Sequence, residues 1–183
     1  MKRNIAMVAG LMLLAACAEF AMGRKIWGIG GTPGFWSGNI WSEHNSQFLL
    51  DPYAFTHVSH GILFYGILSL AFRGLPVGTR LVLAVALESG WEVLENTNMV
   101  IERYRAETIS LNYFGDSIVN SMVDVVACML GFTLAWHLPK RATIIGVVAL
   151  EIVLALWIRD NLALNIVMLL HPSASIRTWQ LVK

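Results

Sequence analysis

The chain has 183 residues, of which 56% are hydrophobic and only 14% are Asp, Glu, Lys or Arg, against roughly 25% charged residues in ordinary soluble domains. That composition, with a mean hydropathy of +0.61, points to a polytopic membrane protein. The net charge of +1 leaves no footprint for nucleic acid, and the two cysteines, Cys17 and Cys128, lie in apolar runs that give neither a metal spacing nor a disulfide framework.

The first apolar run, Ile5 to Met22, follows Lys2 and Arg3. It reads either as a retained transmembrane helix or as a lipoprotein signal ending at Leu14-Ala15-Ala16-Cys17. The retained helix is expected, because the rest of the chain is polytopic. Residues 23–54 form an external loop in which glycines from Gly28 to Gly38 alternate with Trp27, Trp36 and Trp41, side chains suited to the headgroup level. No strand–helix pattern and no Lys-Ser/Thr accompany these glycines, so they do not make a phosphate-binding loop.

Phe55 to Phe72 is the second span, closed by Arg73-Gly74-Leu75-Pro76, and the third runs from about Leu81 to Asn98. Residues 99–115 carry Glu102, Arg103, Arg105 and Glu107, are too charged to cross, and form an external segment. Asp116 to Trp136 is the fourth span, ended by Leu138-Pro139-Lys140-Arg141, and Ala142 to Ile158 is the fifth. After Arg159-Asp160-Asn161 comes Leu162 to Leu170, far short of the ~20 residues of a full crossing. It is a re-entrant half-helix, an interfacial helix or the end of one tilted helix. The expectation is an all-α polytopic membrane helix bundle of five to six spans, one membrane domain over 1–183. Tight basic turns at Arg73–Arg80 and Leu138–Arg141 place those turns and the N-terminus in the cytoplasm.

Three polar runs interrupt the spans at helical spacing: His57 with His60; Glu88, Glu92 and Glu95; and Asp116, Asn120 and Asp124. Each run shares one helix face. In an antiparallel bundle all three lie in the outer half, where ionisable groups are costly and mark functional sites by default. Arg159, Asp160 and Asn161 lie at matching depth, with Arg159 expected to cap the cluster. Simpler structural roles stand beside this: interfacial histidines, solvated Glu92 and Glu95, an N-cap at Asp116. Glu88 and Asp124 resist them best, being about two turns inside apolar spans. Glu151 is isolated and marks a second polar contact.

Longer strings carry a resemblance. They are Leu87-Glu88-Ser89-Gly90-Trp91-Glu92-Val93-Leu94-Glu95-Asn96-Thr97, Val100-Ile101-Glu102-Arg103-Tyr104-Arg105-Ala106 and Tyr113-Phe114-Gly115-Asp116-Ser117, with Asn45-Ser46-Gln47, His57-Val58-Ser59-His60-Gly61 and Ile158-Arg159-Asp160-Asn161-Leu162. The chain resembles the bacterial multi-pass membrane-protein family called domain of unknown function 2585, or uncharacterised protein family 0314. The resemblance covers nearly everything after the first helix. It implies a multi-pass protein of the cell inner membrane and no particular activity. The Gly28–Gly38 stretch departs from the family pattern, which tends to carry cysteines there.

Three functions compete. Imidazoles and carboxylates from several helices are ligands for a divalent metal. His57, His60, Glu92 and Asp116 would hold it, and Glu88 and Asp124, with Arg159, would do acid–base work or orient ligands. Asn120, Glu95, Asp160 and Asn161 would bind a lipid-linked or small-molecule substrate, with membrane lipid as the surrounding partner. No HExxH string and no nucleophilic Ser or Cys motif is present. The alternatives are a small proton-coupled transporter, in which the acids relay protons, and a non-catalytic envelope assembly factor.

Overall fold

A computed structural model describes residues 2–181. Among these residues the protein is all-helical, with eight α-helices and no strand. They are α1 (Lys2–Ala21), α2 (Ala54–Ala71), α3 (Val77–Glu95), α4 (Asn98–Glu107), α5 (Ile118–His137), α6 (Lys140–Trp157), α7 (Leu162–Leu170) and α8 (Ala174–Leu181).

The helix boundaries follow local chemistry. Pro76 and Pro139 immediately precede α3 and α6, where a missing N–H costs nothing. Thr97, Ser117 and Asn161 cap α4, α5 and α7 with side-chain oxygens that accept from Val100, Asn120 and Leu164. The last of these starts a helix straight after the Arg159–Asp160 break, where Arg159 sits at a φ of 55°. α6 and α7 are thereby bent by 70°. α8 was not foreseen; Ser173 opens it, its hydroxyl 3.5 Å from the Ile176 N–H.

Among the described residues three helices, α1, α2 and α5, are long and apolar enough to cross a membrane, or four spans if the bent pair α6–α7 counts as one. That is fewer than the five to six expected. The nineteen-residue α3 falls short because it carries Arg80, Glu88, Glu92 and Glu95. It nonetheless lies inside the bundle, burying Val82, Ala84, Val85, Glu88, Ser89 and Glu92.

The tightest packing is between α2 and α5. A methyl group added at Gly61 would collide with the Cys128 carbonyl, and one added at Gly131 would meet the Val58 carbonyl. Small residues let the two backbones touch, as in membrane helix pairs. Leu68, Ala84 and Phe132 form the apolar core at one end of this pair, with the Tyr65 ring edge-on to Phe132. The opposite end holds the polar residues. The start of α2, the end of α3 and the start of α5 meet there.

The segment before α2 is anchored onto that end. Asp51 is 1% exposed and takes the N–H groups of Ser46 at 2.8 Å and Tyr53 at 2.7 Å. Gln47 donates its amide to the Gly115 carbonyl at 2.7 Å, and the Ser117 hydroxyl donates to the Gln47 carbonyl. Lys25 and Ile26 offer their carbonyls to the first N–H groups of α5. The stretch expected as an interfacial loop therefore satisfies the otherwise unpaired start of a helix.

Candidate metal centre

Glu88 is the node of the site. It is fully buried, and its carboxylate meets both histidines: His57 Nδ1 at 2.5 Å and His60 Nδ1 at 3.0 and 3.1 Å. The spacing of His57 and His60 puts both imidazoles on one face of α2, their ring centres 5.1 Å apart. One carboxylate accepting from both Nδ1 atoms fixes the ring orientations and leaves the Nε2 atoms available as ligands.

One turn further along α3 is Glu92. It is also fully buried and lies 3.3 Å from His57 Nδ1, yet neither of its oxygens makes a hydrogen bond. Asp124 on α5 comes within 3.9 Å of His57 Nε2, and its Oδ1 is likewise buried without a partner. Buried carboxylate oxygens without donors are costly, and proteins keep few of them. Among the described residues three groups of side chains have ligand atoms within 4.8 Å of one another: His57, His60 and Glu88; His57, Glu92 and Asp124; and Glu92, Glu95 and Asp116.

Asp116 sits just outside α5, after Gly115, whose φ of 89° suits glycine. Its Oδ2 accepts from the Tyr113 hydroxyl at 2.7 Å and the Asn96 amide at 3.0 Å. Burial raises its carboxyl to about 6, with the Tyr113 hydrogen bond acting against that shift. The capping role open to Asp116 belongs instead to Ser117. Burial likewise raises the Asp51 carboxyl, against its backbone hydrogen bonds.

A cavity of about 430 Å³ opens beside these groups. Its polar wall includes His57, His60, Glu95, Asp116 and Asp124. Its apolar wall includes Leu63, Leu87, Leu94 and Ile166, all 42–51% exposed on the outer faces of α2, α3 and α7.

The structure brings together seven of the expected residues: His57, His60, Glu88, Glu92, Glu95, Asp116 and Asp124. The others lie elsewhere. Asn120 turns to the preceding loop and donates to the Phe48 carbonyl at 2.9 Å. Arg159 does not cap the cluster; its guanidinium donates to the Trp179 carbonyl at 2.8 Å and lies over the Trp179 ring. Asp160 is fully buried and holds a separate knot, accepting from Tyr53, Asn161, Asn165 and Gln180. Asn161 caps α7 and donates to the Glu151 carbonyl. Glu151 itself joins α2 to α7 by accepting from Ser59 and from the Ala163 N–H.

Two contributors were missed. Glu19 on α1 is fully buried, lies beside the Ser121 hydroxyl, and interacts electrostatically with Asp116 and Arg24. Asn96, fully buried, ties α3 to α5 through Asp116 and Ser121. Glu19 had one sequence signal, as the only acid in the first apolar run. Asn96 had none.

Fold and site together define an all-helical protein with a buried histidine–carboxylate cluster on a cavity wall. The family model described as protein of unknown function DUF2585 matches residues 19–182, and the chain belongs to that family. It is 46% identical to a UPF0314 protein of Rhizobium meliloti over 93% of this chain and 87% of the relative. It is 47% identical to one of Brucella anthropi over 82% and 76% of the two chains, and 44% identical to one of Paracoccus denitrificans over 93% and 88%. No solved structure matches the chain.

Proposed function

We propose that this is a multi-pass inner-membrane protein whose cluster holds a divalent metal ion and acts on a lipid-linked substrate by hydrolysis or group transfer. The observation that carries the metal reading is Glu92: a carboxylate with no exposure and no hydrogen bond, beside an imidazole, within ligand distance of a second acid. Apolar faces on α1, α2, α5 and the α6–α7 pair support the membrane reading. In it α3 crosses as well, with its acids turned into the bundle. Segments 23–54 and 99–115 face the outside.

His57, Glu92 and Asp124 are the assigned ligands, with Glu88 as the residue that positions both imidazoles. A bound cation would lower the pKa of a coordinated water. A water activated in this way would form the new bond to a phosphorus or carbonyl carbon as the bond to the leaving oxygen breaks. Asp124, which lines the cavity, would ligate through one oxygen and take the water's proton on its unpartnered Oδ1, passing it to the leaving oxygen. The exposed leucines at the mouth suit an apolar chain arriving from the bilayer.

Elemental analysis of protein purified without chelators tests this. At least one equivalent of zinc, iron or manganese per chain is expected, and loss of that metal in His57→Ala. Metal-free protein that rejects all three on reconstitution contradicts it. The continuous run of buried acids from Glu19 through Asp116 to Glu92 favours one second reading, a proton relay in a transporter. A proton-gradient-dependent flux in proteoliposomes from metal-free protein would select it.

A further inference from the structure

We infer that the site takes two divalent cations, bridged by the carboxylate of Glu92. This rests on the metal reading above and goes beyond it. Two ligand groups meet at one residue. His57, Glu92 and Asp124 form one; Glu92, Glu95 and Asp116 form the other, and in each the ligand atoms lie within 4.8 Å of one another. Acids alone do not make a cation site. Glu92 supplies the independent observation: it is fully buried, and both of its oxygens, not just one, lack a hydrogen-bond donor. A bridging carboxylate uses one oxygen for each metal, which would satisfy both atoms of a side chain that has an imidazole 3.3 Å away but no hydrogen-bond donor.

The flanking ligands are arranged for such a pair. On one side, Glu88 holds His57 through Nδ1. On the other, Tyr113 and Asn96 hold Asp116 through a single oxygen, Oδ2. Outer partners of this kind orient metal ligands. His57, Asp124, Glu95 and Asp116 all line the one cavity, so both ions would face the same substrate.

Charge points the same way. Six carboxylates, those of Glu19, Glu88, Glu92, Glu95, Asp116 and Asp124, gather about two imidazoles, with Arg24 near Glu19. Like charges at such separations cannot all remain ionised without compensation. Two divalent ions supply four positive charges. Pairs spaced by about 3.5–4 Å are a recurring device for clamping the attacking and leaving oxygens of a displacement.

The test is manganese loading of the purified full-length protein in detergent, read by elemental analysis and electron paramagnetic resonance. Two Mn²⁺ per chain with an exchange-coupled spectrum are expected. Glu95→Gln should hold one Mn²⁺ and give the spectrum of an isolated ion. A wild-type stoichiometry of one overturns the bridged pair while leaving a single-metal site standing. Two ions with an uncoupled spectrum overturn the bridge, as does Glu95→Gln retaining a coupled pair. No binding at all overturns the metal reading itself. Asp116→Asn provides a second variant should Glu95→Gln fail to fold, with the same loss of one ion expected.

Discussion

Glu88→Gln separates positioning from ligation. The wild-type carboxylate makes three contacts of 2.5–3.1 Å with two imidazoles. Glutamine keeps the shape but offers one carbonyl oxygen, and its amide would place a donor against a second donor. At least one histidine then loses its acceptor. A hydrogen bond to a charged group contributes about 1.5–3 kcal/mol. A lost outer partner typically weakens metal binding about 10- to 100-fold, which is ~1.4–2.7 kcal/mol, so the two magnitudes agree. Competition against a chromophoric chelator in detergent solution measures the affinity, and helical circular dichroism on the same samples reports folding. Glu102→Gln, on an exposed residue of α4, serves as the control and should change nothing. Folded Glu88→Gln protein with wild-type metal affinity would refute the role given to Glu88.

Three further outcomes follow from the packing and the topology. Gly61→Ala should destabilise the protein by about 1–3 kcal/mol through overpacking against α5, whereas Gly66→Ala, which meets open space, should stabilise it by roughly 0.5–1 kcal/mol through helix propensity; equal melting temperatures for the two variants would contradict the close α2–α5 contact. A cysteine introduced at Gly78, in the basic turn before α3, should resist a membrane-impermeant thiol reagent added outside intact cells in a Cys17→Ser background, and labelling from outside would invert the topology. The intact mass of membrane-extracted protein should include α1, since Glu19 is buried against the rest of the bundle; a chain beginning at a lipidated Cys17 would show that α1 is removed.

Much of the helical layout was legible in the sequence. Arg73-Gly74-Leu75-Pro76 and Leu138-Pro139 stop and restart helices by chemistry that needs no tertiary context, and the α2, α3, α5 and α6 boundaries fall within a few residues of those expected. The run Leu162 to Leu170 was also right in extent as α7. The convergence of His57, His60, Glu88, Glu92 and Asp124 was readable too, because helical spacing fixes which residues share a face and alternating direction fixes their depth.

What the sequence left out depended on direction at helix ends and in loops. Arg159 has a positive φ at the α6–α7 break, and its guanidinium reaches α8, a helix not foreseen. Asp160 reads like a site residue and is instead saturated by four donors. Glu19 lies near the end of an apolar run, and only the packing of α1 against α3 and α5 buries it. Asn45-Ser46-Gln47, quoted only as part of a family pattern, acquires a physical reason: Gln47 and Ser46 close the backbone around Gly115 and Ser117.

X-ray absorption at the metal edge of the loaded protein tests the central claim most directly, because it reads the ligands themselves. A shell of nitrogen and oxygen neighbours with imidazole scattering is predicted, and that scattering should diminish in His57→Ala. An oxygen-only or sulfur-dominated shell that is unchanged in His57→Ala would contradict the assignment of the cluster as the metal site.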